Sequence, residues 1–315
     1  MGVPIANGPN YTNREVSGKA PESRFIREIW SSKLLTKFYS ATVLAAISNT
    51  DYEGEITSYG DKVIIRTTPD IEVHDYEKGK DLVYDEPESE STELRIDRGK
   101  FFNFKVDSVD KYQSDLALID DWSDDASEKM KIAIDRDVLG SVYADVSAEN
   151  QGTAAGKISG SFNLGEAGAP ISLTKENIVD EIVNWGTVLD EQDVPEEGRW
   201  LCLPSWAVGK VKKSDLKDAS LSGDGTSMLR NGRIGMIDRF TVYRSNLMDY
   251  SDEAGTKAFH IVGGHKSALS FASQMTEMET LPNPRRFGQL VRGLNVYGFD
   301  VLKDEAMFHA YCAQG

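Results

Sequence analysis

The chain has 315 residues, 40% of them apolar, and a formal net charge of −16. That length holds one or two substantial cores. The charge excludes an extended basic surface for gripping nucleic acid, because phosphates are neutralised by Lys and Arg. An acidic wall is still compatible with enclosing DNA while leaving it free to move. No stretch approaches the roughly 20 apolar residues that span a bilayer, and the N-terminus lacks the basic segment and apolar run of a secretory signal. Position 6 is Ala6, where myristoylation requires Ser or Thr. The protein is therefore expected to be soluble and intracellular at synthesis, with no membrane partner. Its two cysteines, Cys202 and Cys312, lie in separate apolar segments. They are too few for a disulfide framework and lack metal-type spacing, so buried free thiols are expected.

Residues 1–20 are rich in Gly, Pro and Asn and have little to bury. A partner, and not a core, must order such an arm. Pro21 suits a first helical turn, and Ile26, Trp30, Leu34 and Phe38 then recur every four residues, predicting an amphipathic helix. The apolar run Val43–Ile47 is broken by Ser48-Asn49-Thr50-Asp51. Lys62–Thr68 and Phe101–Val106 read as strands, with weaker strand signals at Ile71-Glu72-Val73 and Leu94-Arg95-Ile96. Between them runs Asp85-Glu86-Pro87-Glu88-Ser89-Glu90-Ser91-Thr92-Glu93, acidic and without apolar content. Connections this long are uncommon inside compact domains. A two-stranded flap projecting from the body accounts for the pattern. Two strands alone in water are marginal, so the flap is expected to lie against a neighbouring subunit.

Residues 115–148 carry the strongest helical stripe: Met130, Ile134, Val138, Val142 and Val146, extended backwards by Ile119, Trp122 and Ala126. A helix of that extent is about 45–50 Å long, and Gly152 and Gly156 are the expected stops. Residues 157–270 read as mixed α and β. Ile178, Ile182, Trp185 and Leu189 form an amphipathic helix, with Thr174 as candidate N-cap, Glu176 in its first turn and Pro195 closing it. Trp200–Leu203, Ile234–Ile237, Phe240–Tyr243, Phe259–Val262 and Val296–Val301 carry strand signals, and Lys217–Arg233 is a Gly/Ser/Asp loop.

Several constellations resemble chemistry. Gly263-Gly264-His265-Lys266-Ser267 ends like a phosphate loop, but His265 and His260 stand where that loop needs glycines, so a tight strand-exit turn is expected instead. Asp120, Asp121, Asp124 and Asp125 lack calcium-loop spacing and read as charges complementing a helix N-terminus. His74, His260, His265 and His309 form no zincin pattern, and no serine elbow is present, so each histidine is expected to be surface or hydrogen-bonded. These readings assign no catalytic, cofactor-binding or metal residue. Arg285-Arg286-Phe287 is a basic spot in an acidic chain. It is either an intersubunit donor meeting acidic flap residues such as Glu86, Glu88 and Glu90, or a solvated loop.

The ordered list (polar arm, helix, acidic flap, very long helix, mixed α/β region, strand-rich tail) resembles the major capsid proteins of tailed bacteriophages. That family has an α+β, HK97-like fold. Particular segments are similar to the branch containing P22-like coat proteins. They include Ser48-Asn49-Thr50-Asp51-Tyr52-Glu53-Gly54 leading into Tyr59-Gly60-Asp61-Lys62-Val63-Ile64-Ile65, and Phe102-Asn103-Phe104-Lys105-Val106-Asp107 followed by Asp110-Lys111. Later come Arg199-Trp200-Leu201-Cys202-Leu203-Pro204, Asn231-Gly232-Arg233-Ile234-Gly235-Met236-Ile237, and Gly264-His265-Lys266-Ser267-Ala268 through Phe287-Gly288 to Arg292-Gly293-Leu294-Asn295-Val296-Tyr297-Gly298.

The resemblance implies an N-terminal arm at 1–20, an entry segment at 21–65 and an extended β-hairpin loop at 66–100. A peripheral domain with a long spine helix would follow at 101–158, an axial domain at 159–269 and a return to the peripheral domain at 270–315. It further implies a non-enzymatic virion component without cofactors, assembled in the bacterial cytoplasm. Pentamers and hexamers would close an icosahedral shell around double-stranded DNA, together with a portal. Some relatives carry an N-terminal scaffolding segment of about a hundred residues; the short arm here leaves no room for it, so a separate scaffolding protein is expected. Others cross-link through a Lys–Asn bond; Lys78 and Lys80 lie in the loop and Asn283 in the tail, but no local motif supports one. The alternatives are an encapsulin-like compartment shell, with the same fold around a protein cargo, and a hydrolase using an acidic pair on the helix of the 120s. The hydrolase requires a concave pocket holding that pair.

Overall fold

A computed structural model describes residues 42–51, 62–66, 91–107, 118–214, 235–253, 255–283 and 287–315, with single positions between 71 and 84. The amphipathic helix expected after Pro21 and the loop expected at Lys217–Arg233 lie outside the described residues. The helix α1 (Leu44–Ile47) is a single turn that stops at Ser48, as the sequence break predicts. The strands β1 (Lys62–Arg66) and β2 (Ser91–Arg95) pair antiparallel as the root of the expected flap.

The strand β3 (Arg98–Asp107) is followed by the long helix α2 (Leu118–Leu139). Its 22 residues make it about 33 Å long, shorter than the stripe suggested. Gly140 ends it, not Gly152: the Ser141 N–H turns back to the Val138 carbonyl at 3.1 Å, and the Ser141 hydroxyl donates to the Asp137 carbonyl at 2.7 Å. Val142 and Val146 stay in rhythm because both remain buried in the same core. Their backbone has already passed into a 3-10 turn at Val142–Asp145 and an extended residue. The apolar period reported burial correctly and helix length incorrectly.

A three-stranded antiparallel sheet supports α2. Its order is β10–β11–β3, with β10 (Leu269–Pro282) and β11 (Gly288–Val301) forming a long hairpin. The larger sheet is mixed and has the order β4–β12–β9–β5–β7–β6, with β8 alongside β9. Its strands are β4 (Ile171–Leu173), β5 (Arg199–Leu203), β6 (Met236–Ile237), β7 (Phe240–Arg244), β8 (Tyr250–Glu253), β9 (Thr256–His265) and β12 (Met307–Gln314). Every residue of β5 is buried, as expected for a central strand covered on both faces.

The helix α3 (Ile178–Asp190) packs on this sheet through Ile178, Ile182, Trp185 and Leu189, all fully buried. The N-cap of α3 is Asn177 and not Thr174, which sits in the turn that leads into the helix. The Thr174 hydroxyl accepts from the Asn177 N–H at 3.3 Å, and the Asn177 side chain accepts from the Thr174 N–H at 2.6 Å, which closes that turn reciprocally. The short helix α4 (Ser205–Val211) follows β5. Arg199, fully buried, ties the end of α3 to β5 by donating to the carbonyls of Pro195 (2.9 Å), Val194 (2.5 Å) and Gly186 (3.3 Å) and pairing with Asp190 at 2.7 Å. Cys202 and Cys312 are free and buried, as expected, and desolvation pushes both thiols up.

Gly263 and Gly264 sit inside β9, not in an anion-binding turn. A methyl group at Gly263 would lie 2.6 Å from the Phe308 ring, and one at Gly264 2.6 Å from the Ala306 carbonyl. They are small so that the chain of β12 can approach. The tight turn expected at this point spans Lys266–Ala268, between β9 and β10.

Candidate assembly surface

The strand β1 alternates along residues 63–66. Val63 and Ile65 turn inward and pack with Leu94, Ile96 and Ala272 into a small core of their own, while Ile64 faces out. Leu94 is fully buried there. The hairpin joins the body where β11 passes Arg95 so closely that any side chain at Gly298 would overlap the Arg95 carbonyl. Beyond this root, Ile71, Val73, Tyr76 and Tyr84 are all exposed, Val73 at 96% and Tyr84 at 86%. Apolar and aromatic side chains in solvent next to a two-stranded pairing leave that segment without a covering partner among the described residues.

A polar joint fixes the direction of α2 against the small sheet. One Asp137 carboxylate oxygen accepts from Arg98 of β3 at 2.9 Å and from the Tyr297 hydroxyl of β11 at 2.7 Å. The Arg98 guanidinium also lies 4.4 Å over the Phe299 ring. Burial works against the Asp137 charge, but the bonds from Tyr297 and Arg98 outweigh it and hold the carboxyl below its ordinary range. The hairpin root, β3 and α2 therefore meet within a few residues of one another.

Two apolar depressions flank α2. A groove of about 490 Å³ opens along the edge strand β3, where Phe101 (72% exposed) and Trp122 stand beside Ala126, Met130 and Ala133. Trp122 meets Phe104 edge-on at 5.8 Å. This groove does lie on the helix that an acidic-pair hydrolase would use. Asp125 is the one carboxylate among the described residues lining it, and that group is paired with Lys129 at 2.8 Å. On the other flank, a cleft of about 150 Å³ separates α2 from β10 and β11. Among the described residues, no group of three or more His, Cys, Asp or Glu side chains is placed to hold a metal ion.

The joint between α2 and the large sheet is aromatic. His260 Nδ1 and His309 Nε2 are 3.0 Å apart, and Tyr143, just beyond α2, stacks on His260 at 3.9 Å. Tyr311 covers the other side at 4.8 Å and donates its hydroxyl to Glu253 at 2.9 Å. Burial, helped by His260, pushes His309 down to about 4. His260 is lowered by burial too, with Asp249 opposing. At neutral pH both rings are therefore uncharged and a single N–H lies between them. His265 is hydrogen-bonded to Ser267 at 2.8 Å, so these three histidines are partnered as the sequence suggested.

The residues singled out from sequence as intersubunit contacts, Glu86, Glu88, Glu90, Arg285 and Arg286, lie outside the described residues. Their described neighbour Phe287 is 89% exposed. Phe101 and Trp122 were not singled out. The adjacent pair Phe101-Phe102 carried the signal, because neighbouring strand residues face opposite ways and two large apolar neighbours cannot both point inward.

A family model described as phage capsid protein matches residues 89–310. A solved structure from Mycobacterium phage Che8 is 26% identical, covering 92% of this chain and 98% of that one with a TM-score of 0.73. The capsid of cyanophage P-SCSP1u is 12% identical over 92% of this chain and 94% of that one, with a TM-score of 0.70. The capsid of Myoviridae phage XM1 is 15% identical over 92% of this chain and all of that one, with a TM-score of 0.60. No curated protein sequence matches.

Proposed function

The chain belongs to the phage capsid protein family, and from that premise we propose that it closes an icosahedral shell of pentamers and hexamers around double-stranded DNA. The coarser statements are plain. The fold is the HK97-like α+β capsid fold, and the protein is a non-enzymatic structural component of the virion that assembles with copies of itself. The single observation that carries the finer reading is the exposure of Ile71, Val73, Tyr76 and Tyr84 beyond the β1–β2 pairing. Only a neighbouring copy gives such a surface something to bury, and repetition with symmetry turns many weak contacts into a stable shell.

In this reading, residues 66–100 are the extended loop, 101–158 the peripheral domain with α2 as spine, 159–269 the axial domain, and 270–315 the return to the peripheral domain. Residues 1–20 are the arm and 21–65 the entry segment. Glu86, Glu88 and Glu90 of one copy meet Arg285 and Arg286 of the next. A separate scaffolding protein directs assembly in the host cytoplasm, and a portal occupies one vertex. The net charge of −16 suits a wall that encloses DNA without binding it by sequence. No observation favours an encapsulin-like compartment.

Negative-stain electron microscopy with light scattering tests the proposal. Closed shells, or rings of five and six subunits, are expected from the protein expressed with its scaffold. A subunit that stays monomeric under those conditions overturns it.

A further inference from the structure

We propose that the His260–His309 pair is a proton-operated latch: a second proton entering between the two rings unseats Tyr143 and frees the end of α2 from the large sheet. His260 Nδ1 and His309 Nε2 stand 3.0 Å apart, a separation that one N–H donating to one lone pair fills. When both nitrogens carry a proton, no lone pair is left between them, and the N–H groups of two charged rings point at each other. The contact then has to open.

Tyr143 is the part that gives way. His260 lies on β9 and His309 on β12, which pair with one another. The strand β9 is flanked on its other side by β5 and β8, and β12 by β4. Both rings therefore sit on strands paired on both sides. Tyr143 stacks on His260 at 3.9 Å and reaches His309 at 5.2 Å, but it rides on a single 3-10 turn whose next two residues, Ala144 and Asp145, are exposed. Just past that turn, the Ser147 N–H reaches the Asp304 carbonyl at 3.4 Å, a long bond. Moving Tyr143 outward admits water to the charged rings without breaking a strand pair.

The charged groups around the pair leave the second proton without a counter-charge. Burial disfavours charge on His260, and Asp249 is the carboxylate that opposes this. Glu253 already accepts from the Tyr311 hydroxyl at 2.9 Å and the Gly168 N–H at 3.1 Å. On the side of the turn, burial raises the carboxyl of Asp300 on β11, and Asp145 adds to the effect. The other joint of α2 behaves differently. Burial works against the Asp137 charge too, but Tyr297 and Arg98 hold that carboxyl below its ordinary range, so it stays ionised in mild acid. Acid therefore uncouples α2 from the large sheet while leaving it fixed to the small one, a change of shape within one subunit.

Hydrogen exchange read by mass spectrometry on the full-length, unassembled subunit tests the latch, with rates corrected for the intrinsic effect of pH. His309 takes up a proton near pH 6.5 once open and near pH 4 while closed. Opening should then become about twentyfold easier between pH 7 and pH 5. Protection of the peptide spanning residues 140–147 is expected to fall by about that factor in the wild type, while peptides from α3 and β5 keep theirs. His309→Phe retains a ring against Tyr143 and takes up no proton, so its 140–147 peptide should change by less than about threefold. Asp300 and the other carboxylates are common to both proteins. Undiminished protection in the wild type, a fall shared equally by α3 and β5, or the same fall in His309→Phe each overturns the proposal. Where His309→Phe does not fold, His309→Gln makes the same comparison.

Discussion

The histidine pair makes the subunit's stability depend on pH by a calculable amount. His309 is 9% exposed and titrates at about 4 in the folded chain against an ordinary value near 6.5 in the unfolded one. A histidine with a depressed folded value binds fewer protons when folded, so its stabilising effect is complete above pH 6.5 and is lost as pH falls towards 4. Between pH 7 and pH 5 the loss from this one group is about 2 kcal/mol. The groups facing it are His260 and Tyr143, with Tyr311 and Asp249 beside His260. Asp249 favours charge on His260, but desolvation of the ring is the stronger influence. His309→Phe keeps a ring of similar size against Tyr143 and removes the titration. Urea unfolding of the unassembled subunit at pH 7 and pH 5 is the assay. The wild-type stability should fall by about 2 kcal/mol more than that of the variant, while carboxylates common to both proteins cancel in the difference. Equal falls in the two proteins would refute the reasoning, because the pair would then not be held uncharged by burial.

Other substitutions separate folding from assembly. Arg199→Met strands the buried carbonyls of Val194 and Gly186 and breaks the pair with Asp190, and should cost roughly 3–5 kcal/mol in urea unfolding; a loss below about 1 kcal/mol would remove Arg199 as the tie between α3 and β5. Gly298→Val collides with the Arg95 carbonyl at the root of the hairpin, so the variant subunit should be purified but score few closed shells by electron microscopy. Normal shells from it would mean the root does not set the hairpin's direction. Phe101→Asp sits on an exposed strand edge and should change subunit stability by no more than about 0.5 kcal/mol, yet sharply lower the yield of shells by light scattering. A variant that assembles like the parent protein removes the β3 groove from the interface.

Much of this architecture was legible because local periodicity and burial coincide. The stripe of α3 and the strand β5 were each visible as short runs whose inward residues are buried in the structure, Trp185 among them, whereas Ser91–Glu93, read as part of an acidic connection, form most of β2. The length of α2 was not legible, since Val142 and Val146 keep a helical rhythm while Gly140 and Ser141 have already closed the last turn. The His260–His309 pair was invisible for a different reason. The two residues are 49 apart and meet only through the register of β9 with β12, which sets His260 opposite Tyr311 and His309 one diagonal step away. Register is a property of the pairing, and neither strand's own sequence states it.

The same distinction explains why the assembly surface is harder to read than the core. A core residue announces itself by period, because its neighbours on the same element share its burial. Phe101, Val73 and Tyr84 are exposed, and among the described residues that mismatch with an inward-facing apolar period is the mark of a surface that needs a partner. A single subunit satisfies its polar joint at Asp137 and its aromatic joint at His260 internally, with every named contact within the chain. Among the described residues, the hairpin and the β3 groove show no such closure. If the proposed contacts hold, substitutions at Phe101 and Val73 should act on assembly and those at Asp137 and His260 on folding.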